Sequence, residues 1–138
     1  MNLKPEVVEQ LERVLSSVEQ LLPEAVEAIN WERTIAANWR RHSFSGFLEP
    51  IEHIEETQLD DLIGIDKQKN ILDKNTCQFL RGYPANNVLL WGSRGTGKSS
   101  VVRALLNKYA TEGLRIIQVD RNDLDFLPDI FSQVGRQP

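Results

Sequence analysis

The octapeptide Gly92-Ser93-Arg94-Gly95-Thr96-Gly97-Lys98-Ser99 constrains this chain more than any other stretch, because it sets three glycines, a lysine and a hydroxyl between an apolar run and a helical pattern. Ahead of it, Asn87-Val88-Leu89-Leu90-Trp91 is short, continuously apolar and partly β-branched, the pattern of a strand covered on both faces. Behind it, Val101, Val102, Leu105, Leu106 and Tyr109 recur at helical spacing over residues 98–110, and Gly113 closes the pattern. The octapeptide fits G-x-x-x-x-G-K-[ST] at each fixed position. From composition, a chance match has a probability of roughly 0.2%, so the loop is read as a site rather than an accident.

The spacing has a physical cause. A polyphosphate must meet several donors while its water is displaced, and a loop without side chains lets backbone N–H groups approach it closely. Gly92, Gly95 and Gly97 would let the backbone curl around a β-phosphate, while the following helix points its positive end at the same place. Lys98 is expected to bridge β and γ phosphates, and the Ser99 hydroxyl to coordinate the Mg²⁺ that travels with the nucleotide. ATP and Mg²⁺ are therefore the expected ligands. Ser93, Arg94, Thr96 and Ser100 complete the candidate set by position. Arg94 and Thr96 occupy variable places of the loop and read equally as exposed residues, and Ser100 as a first-turn helix residue.

After the helix, Leu114, Ile116, Ile117 and Val119 form a second apolar strand pattern, and residues 128–134 start another helix with Asp129 in its first turn. Strand, helix, strand, helix is the order of a parallel sheet with helices on its faces, so the fold class expected is α/β. Upstream, Val7, Leu11, Val14, Val18 and Leu21 alternate four and three residue steps along a helix over residues 5–22. Pro23 can open a second helix running to Arg41, with Val26, Ile29, Trp31, Ile35 and Trp39 as its apolar contacts. Both stripes are expected to pack on the chain's own body. Residues 1–41 are thus read as an N-terminal helical segment.

Residues 42–56 are read as an acidic connector and 57–138 as the loop-bearing core. Between Glu49 and Asp61 there are six acids and no Lys or Arg, a stretch that repels phosphate. Thr57 and Asp60 resemble a capping box before a short turn, and Asp66 can cap a helix that Gly82 and Pro84 terminate. With 138 residues, 41% of them hydrophobic and 26% charged, one ordinary globular domain is expected. The single cysteine, Cys77, excludes an internal disulfide and reads as a packing residue. No apolar run approaches the ~18 residues of a membrane span, so a cytoplasmic location without a membrane partner is expected. A net charge of −4 and the small basic group Arg40-Arg41-His42 make a nucleic-acid partner the weaker reading.

Leu62-Ile63-Gly64-Ile65-Asp66, Pro84-Ala85-Asn86-Asn87-Val88-Leu89-Leu90-Trp91-Gly92 and Arg94-Gly95-Thr96-Gly97-Lys98-Ser99-Ser100 together resemble an AAA+ ATPase. More narrowly, from about residue 28 onward the chain resembles the bacterial ATPases grouped as domain of unknown function 815. That resemblance rests on Asn75-Thr76, Phe79-Leu80, Gly82, Asn86-Asn87, Leu114-Arg115, Val119-Asp120 and Leu127-Pro128-Asp129-Ile130. It implies N-terminal helices followed by the first half of a P-loop parallel-sheet core, ATP hydrolysis as the family activity, and a homo-oligomer. It also implies an adenine contact at Ile63 and Gly64, although Ile63 and Ile65 read equally as core.

The sequence departs from that family pattern in one respect. It ends at Gly135-Arg136-Gln137-Pro138, before a third core strand, so the paired acids, sensor residues and arginine finger of an AAA+ hydrolase have no counterpart in it. No catalytic residue is assignable, and Asp120, Asp123 and Asp125 do not fill that role by position. In the AAA+ sheet order the strands at 88–91 and 115–119 are separated by two others, so these two are not expected to pair, and a fragment or truncated product is expected. Two other readings share the loop chemistry: a non-enzymatic module that responds to nucleotide, and a small P-loop kinase.

Overall fold

The computed structural model of the chain describes residues 4–21, 28–42 and 45–135. Helix α1, Pro5–Leu21, comes first. A β-hairpin follows, β1 (Ala36–His42) with β2 (Ser45–Pro50), then α2 (Asp66–Leu80), α3 (Lys98–Tyr109), β3 (Ile116–Gln118) and α4 (Leu127–Val134). The strands form one sheet in the order β2-β1-β3. β1 runs antiparallel to β2, with Trp39 opposite Leu48 and Arg41 opposite Gly46. It runs parallel to β3, with Ala36 opposite Ile116 and Ala37 opposite Ile117. The molecule is α/β with a mixed sheet. Among the described residues no helix is long and apolar enough to cross a membrane.

Two apolar clusters hold the elements from β1 to α4 together. Ala37, Trp39 and Leu48 face one way from the hairpin and meet Ile130 of α4, with Ile117, Val119 and Phe126 packed around them. Leu72 of α2 meets Val101, Leu105 and Tyr109 of α3, with Leu62, Ile65, Cys77, Leu80 and Leu90 at the margin. Cys77 is thus a packing residue, as its type suggests. Polar bonds fix the second cluster from outside. The Lys108 ammonium donates to Asp73 at 2.7 Å and the Tyr109 hydroxyl to the same carboxylate at 2.8 Å. That bond to Asp73 holds Lys108 above the usual lysine range. Burial, with Asp73 adding to it, likewise raises the Tyr109 phenol.

The structure corrects the expected second helix. Its beginning, residues 22–27, lies outside the described residues, residues 31–33 form a turn, and residues 36–42 are strand β1. The physical reason is visible in burial. Ala37 and Trp39 are buried while Arg40 is exposed, so the operative period at this point is two, and the helical spacing of Trp31, Ile35 and Trp39 is coincidental. The acidic stretch is also more structured than a solvated connector. Ser45–Pro50 is β2, Glu49 accepts from Arg40 at 2.8 Å, and Glu55 accepts from Arg103 of α3 at 2.7 Å. Asn107 of α3 donates to the carbonyls of Glu55 and Thr57, clamping residues 55–57 to the helix. The short turn before α2 is a 3-10 turn, Leu59–Asp61, one residue later than the Thr57/Asp60 pattern suggests. It is closed by Asp61 accepting from the Gln58 amide at 2.8 Å.

The second correction concerns residues 87–91. They join no sheet, and Leu89 and Trp91 lie 84% and 87% exposed instead of being covered on both faces. A strand buried on both faces needs a neighbour on each edge. β3 pairs with β1, leaving residues 87–91 without such a neighbour, and only Leu90 reaches a cluster.

Candidate phosphate-binding loop

Helix α3 starts at Lys98 because Gly97 can adopt what the turn requires. Its φ of 84° lies in the left-handed region, which an L side chain rarely enters. Gly92, at the entrance of the loop, has φ 146°, and a Cβ there would stand 3.2 Å from the Thr96 hydroxyl and 3.9 Å from the Lys98 ammonium. The loop therefore closes on itself at a place where only glycine fits comfortably.

The lysine lies inside that closure. Lys98 Nζ donates to the carbonyls of Gly92 at 2.9 Å and Ser93 at 2.6 Å and to Thr96 Oγ1 at 3.2 Å, while the Thr96 hydroxyl donates to Ser93 O at 2.9 Å. Thr96 is thus more than an exposed filler: it holds one side of the lysine's oxygen cage. Its part was not readable from position, since the pattern G-x-x-x-x-G-K-[ST] leaves that place open. The backbone N–H groups of Gly95, Thr96 and Gly97 donate to no acceptor among the described residues. Those of the first turn of α3 have none within the helix either, as at every helix start. Unpaired amides beside a caged ammonium, at the positive end of a 12-residue helix, make a place where negative charge is stabilised.

The remaining candidates sort by position. Ser99 is exposed at the helix start and borders a cavity of about 630 Å³ that also touches His53, Arg103 and residues 116–119. Ser93 and Arg94 are exposed, and Ser100 is half-buried in the first turn. Ile63 and Gly64 stand at the turn before α2. Leu62 and Ile65 on either side pack into the α2–α3 cluster, whereas Ile63 is 92% exposed, which removes its reading as core. The three aspartates after β3 are engaged in structural bonds or solvent. Asp120 caps the following turn by accepting from the Asn122 amide at 2.9 Å, Asp123 pairs with Arg41 at 3.1 Å, and Asp125 is exposed.

Asn75 of α2 is a positioning residue that spacing alone did not assign. Its side chain donates to the Asn86 carbonyl and accepts from the Asn86 amide, both at 2.8 Å, which fixes the chain six residues ahead of Gly92. The basic group Arg40-Arg41 is neutralised, Arg40 by Glu49 and Arg41 by Asp123 with its guanidinium 4.7 Å from the Phe126 ring centre.

Fold and loop together define an α/β chain whose glycine-rich turn leads directly into helix α3. The chain belongs to the family described as Protein of unknown function (DUF815), whose model matches residues 32–138. No curated protein and no solved structure matches it.

Proposed function

We propose that this chain binds a nucleoside triphosphate, ATP, together with Mg²⁺, through residues 92–99, as the nucleotide-binding part of an AAA+-type ATPase. The observation that carries the reading is the loop itself: three consecutive backbone amides without acceptors, Gly95 to Gly97, run into a helix start beside an ammonium caged by loop oxygens. These residues fit a polyphosphate. Lys98 would exchange loop oxygens for phosphate oxygens of greater charge, the amides would supply the remaining donors, and the Ser99 hydroxyl would be the protein ligand of Mg²⁺. Bound Mg²⁺ would neutralise part of the phosphate charge. Ile63 and the Gly64 backbone, exposed before α2, are the proposed contact for the base.

A second reading, a module that binds nucleotide without hydrolysing it, is favoured by the aspartates after β3. Asp120 and Asp123 are taken up by a cap and an ion pair. Titration of the chain with a fluorescent ATP analogue in Mg²⁺ tests binding. Lys98→Ala removes charge-assisted hydrogen bonds worth about 1.5–3 kcal/mol, so affinity is expected to fall by about tenfold or more. Equal affinity of parent and variant refutes the site. Steady-state phosphate release, abolished in Lys98→Ala, would favour hydrolysis over the binding module.

A further inference from the structure

We infer that α1 is a self-association helix whose partner is α1 of a second copy of this chain. Its apolar side chains are left in solvent: Val7, Leu11, Val14 and Val18 along the middle, with Val8 and Leu15 beside them, are exposed and belong to neither buried cluster. The sequence expectation that this stripe packs on the chain's own body is not met by any described element. A 17-residue helix is marginal in water by itself and draws its stability from a packed face.

The occupant is indicated by spacing and charge. Steps of four and three residues, continued in sequence at Leu21, average 3.5 and keep the stripe on one line against a parallel, in-register copy, the signature of a knobs-into-holes seam. Gln10 and Ser17 flank the seam on the side opposite Val8 and Leu15, so two identical helices meet there without like charges. The charges stand away from it, and Glu9 and Arg13 pair with each other at 3.1 Å. A bilayer is disfavoured as occupant. The helix carries four glutamates against one arginine, the wrong sign for an anionic membrane surface. At two heptads, roughly 25 Å long, the seam is smaller than a standard interface, so association is expected to be reversible and micromolar rather than obligate.

Sedimentation of the full chain over two decades of concentration, up to about 0.5 mM, tests this where a micromolar equilibrium is visible. The weight-average mass is expected to rise from near that of one chain toward that of two, with far-ultraviolet helicity rising in parallel. Leu11→Glu, near the helix midpoint and outside both buried clusters, should hold the chain monomeric with unchanged tryptophan fluorescence. Mixing it with Leu11→Lys chains should restore association, which simple loss of helix would not allow, and Glu9→Gln on the outer face should behave as the parent. A parent that stays monomeric overturns the inference. So does association undiminished by Leu11→Glu, which would place the contact elsewhere, such as at Leu89 and Trp91, and so does failure of the charge-reversed mixture to associate.

Discussion

Replacing Gly46 by alanine should destabilise the hairpin out of proportion to one methyl group. Gly46 lies across from Arg41, two pairs from the Trp39–Leu48 pairing, and the Trp39 indole folds over it. A Cβ on Gly46 would overlap ring atoms Cζ2 and Cη2 and stand 2.6 Å from Cε2. The ring has nowhere easy to go. It is 4% exposed in the cluster with Ala37, Leu48 and Ile130, and its Nε1 has no hydrogen-bond partner, so packing alone sets its orientation. Moving it also disturbs the Gly46 carbonyl, which accepts from Gln133 of α4 at 2.7 Å. Overpacking of this kind costs about 1–3 kcal/mol, and expulsion of the indole from the cluster about 3–5 kcal/mol. Taking about 2 kcal/mol and a urea slope of about 2 kcal/mol/M, the unfolding midpoint should fall by about 1 M. Urea titration followed by near-ultraviolet circular dichroism reads this. In a Trp39→Leu background the same glycine substitution should cost much less, because the two residues share one space. A Gly46→Ala midpoint within about 0.2 M of the parent would refute the stacking of Trp39 on Gly46.

Two further outcomes follow from polar contacts. Lys108 and Tyr109 both hold their protons more tightly in the folded chain, so the stability they add is complete below their unfolded values and is lost as pH rises through the folded ones. The urea midpoint should therefore fall on going from pH 8 to strongly alkaline pH, and Asp73→Ala should flatten that fall; an unchanged alkaline slope in the variant would contradict the Asp73 link. Asn75→Ala removes both bonds to Asn86, and loss of about 1 kcal/mol of positioning should weaken ATP binding about fivefold with little change in the urea midpoint. Unaltered affinity would show that the segment before Gly92 needs no such anchor.

Much of the helical structure was legible in sequence. Periodicity and punctuation placed α2 and α3 within a residue or two: Gly82, φ 71°, follows the end of α2, and Gly113, φ 100°, closes the 3-10 turn Ala110–Glu112 that continues α3. β3 and α4 followed from the same signals. The hairpin was not legible, since Ala36 and Ala37 are strong helix formers and Trp31, Ile35 and Trp39 fall at helical spacing. Only the cross-strand partner Leu48 and the close approach of Gly46 to Trp39 reveal a period of two. Residues 88–91 were misread for the opposite reason: composition records a preference for burial, whereas pairing depends on neighbours that the local pattern does not contain. In the candidate site, the motif located Lys98 and the glycines. The bond from Lys98 to Thr96 and the clamp from Asn75 arise only from the folded geometry of the loop and of α2, which local spacing does not encode.

Amide chemical shifts during titration with Mg²⁺ and ATP bear most directly on whether this loop receives a triphosphate. With saturating nucleotide the signals of Gly95, Thr96, Gly97, Lys98 and Ser99 should move together, and adenosine at the same concentration should leave them in place. Shifts absent from these amides, or reproduced in full by adenosine, would contradict a phosphate-binding loop.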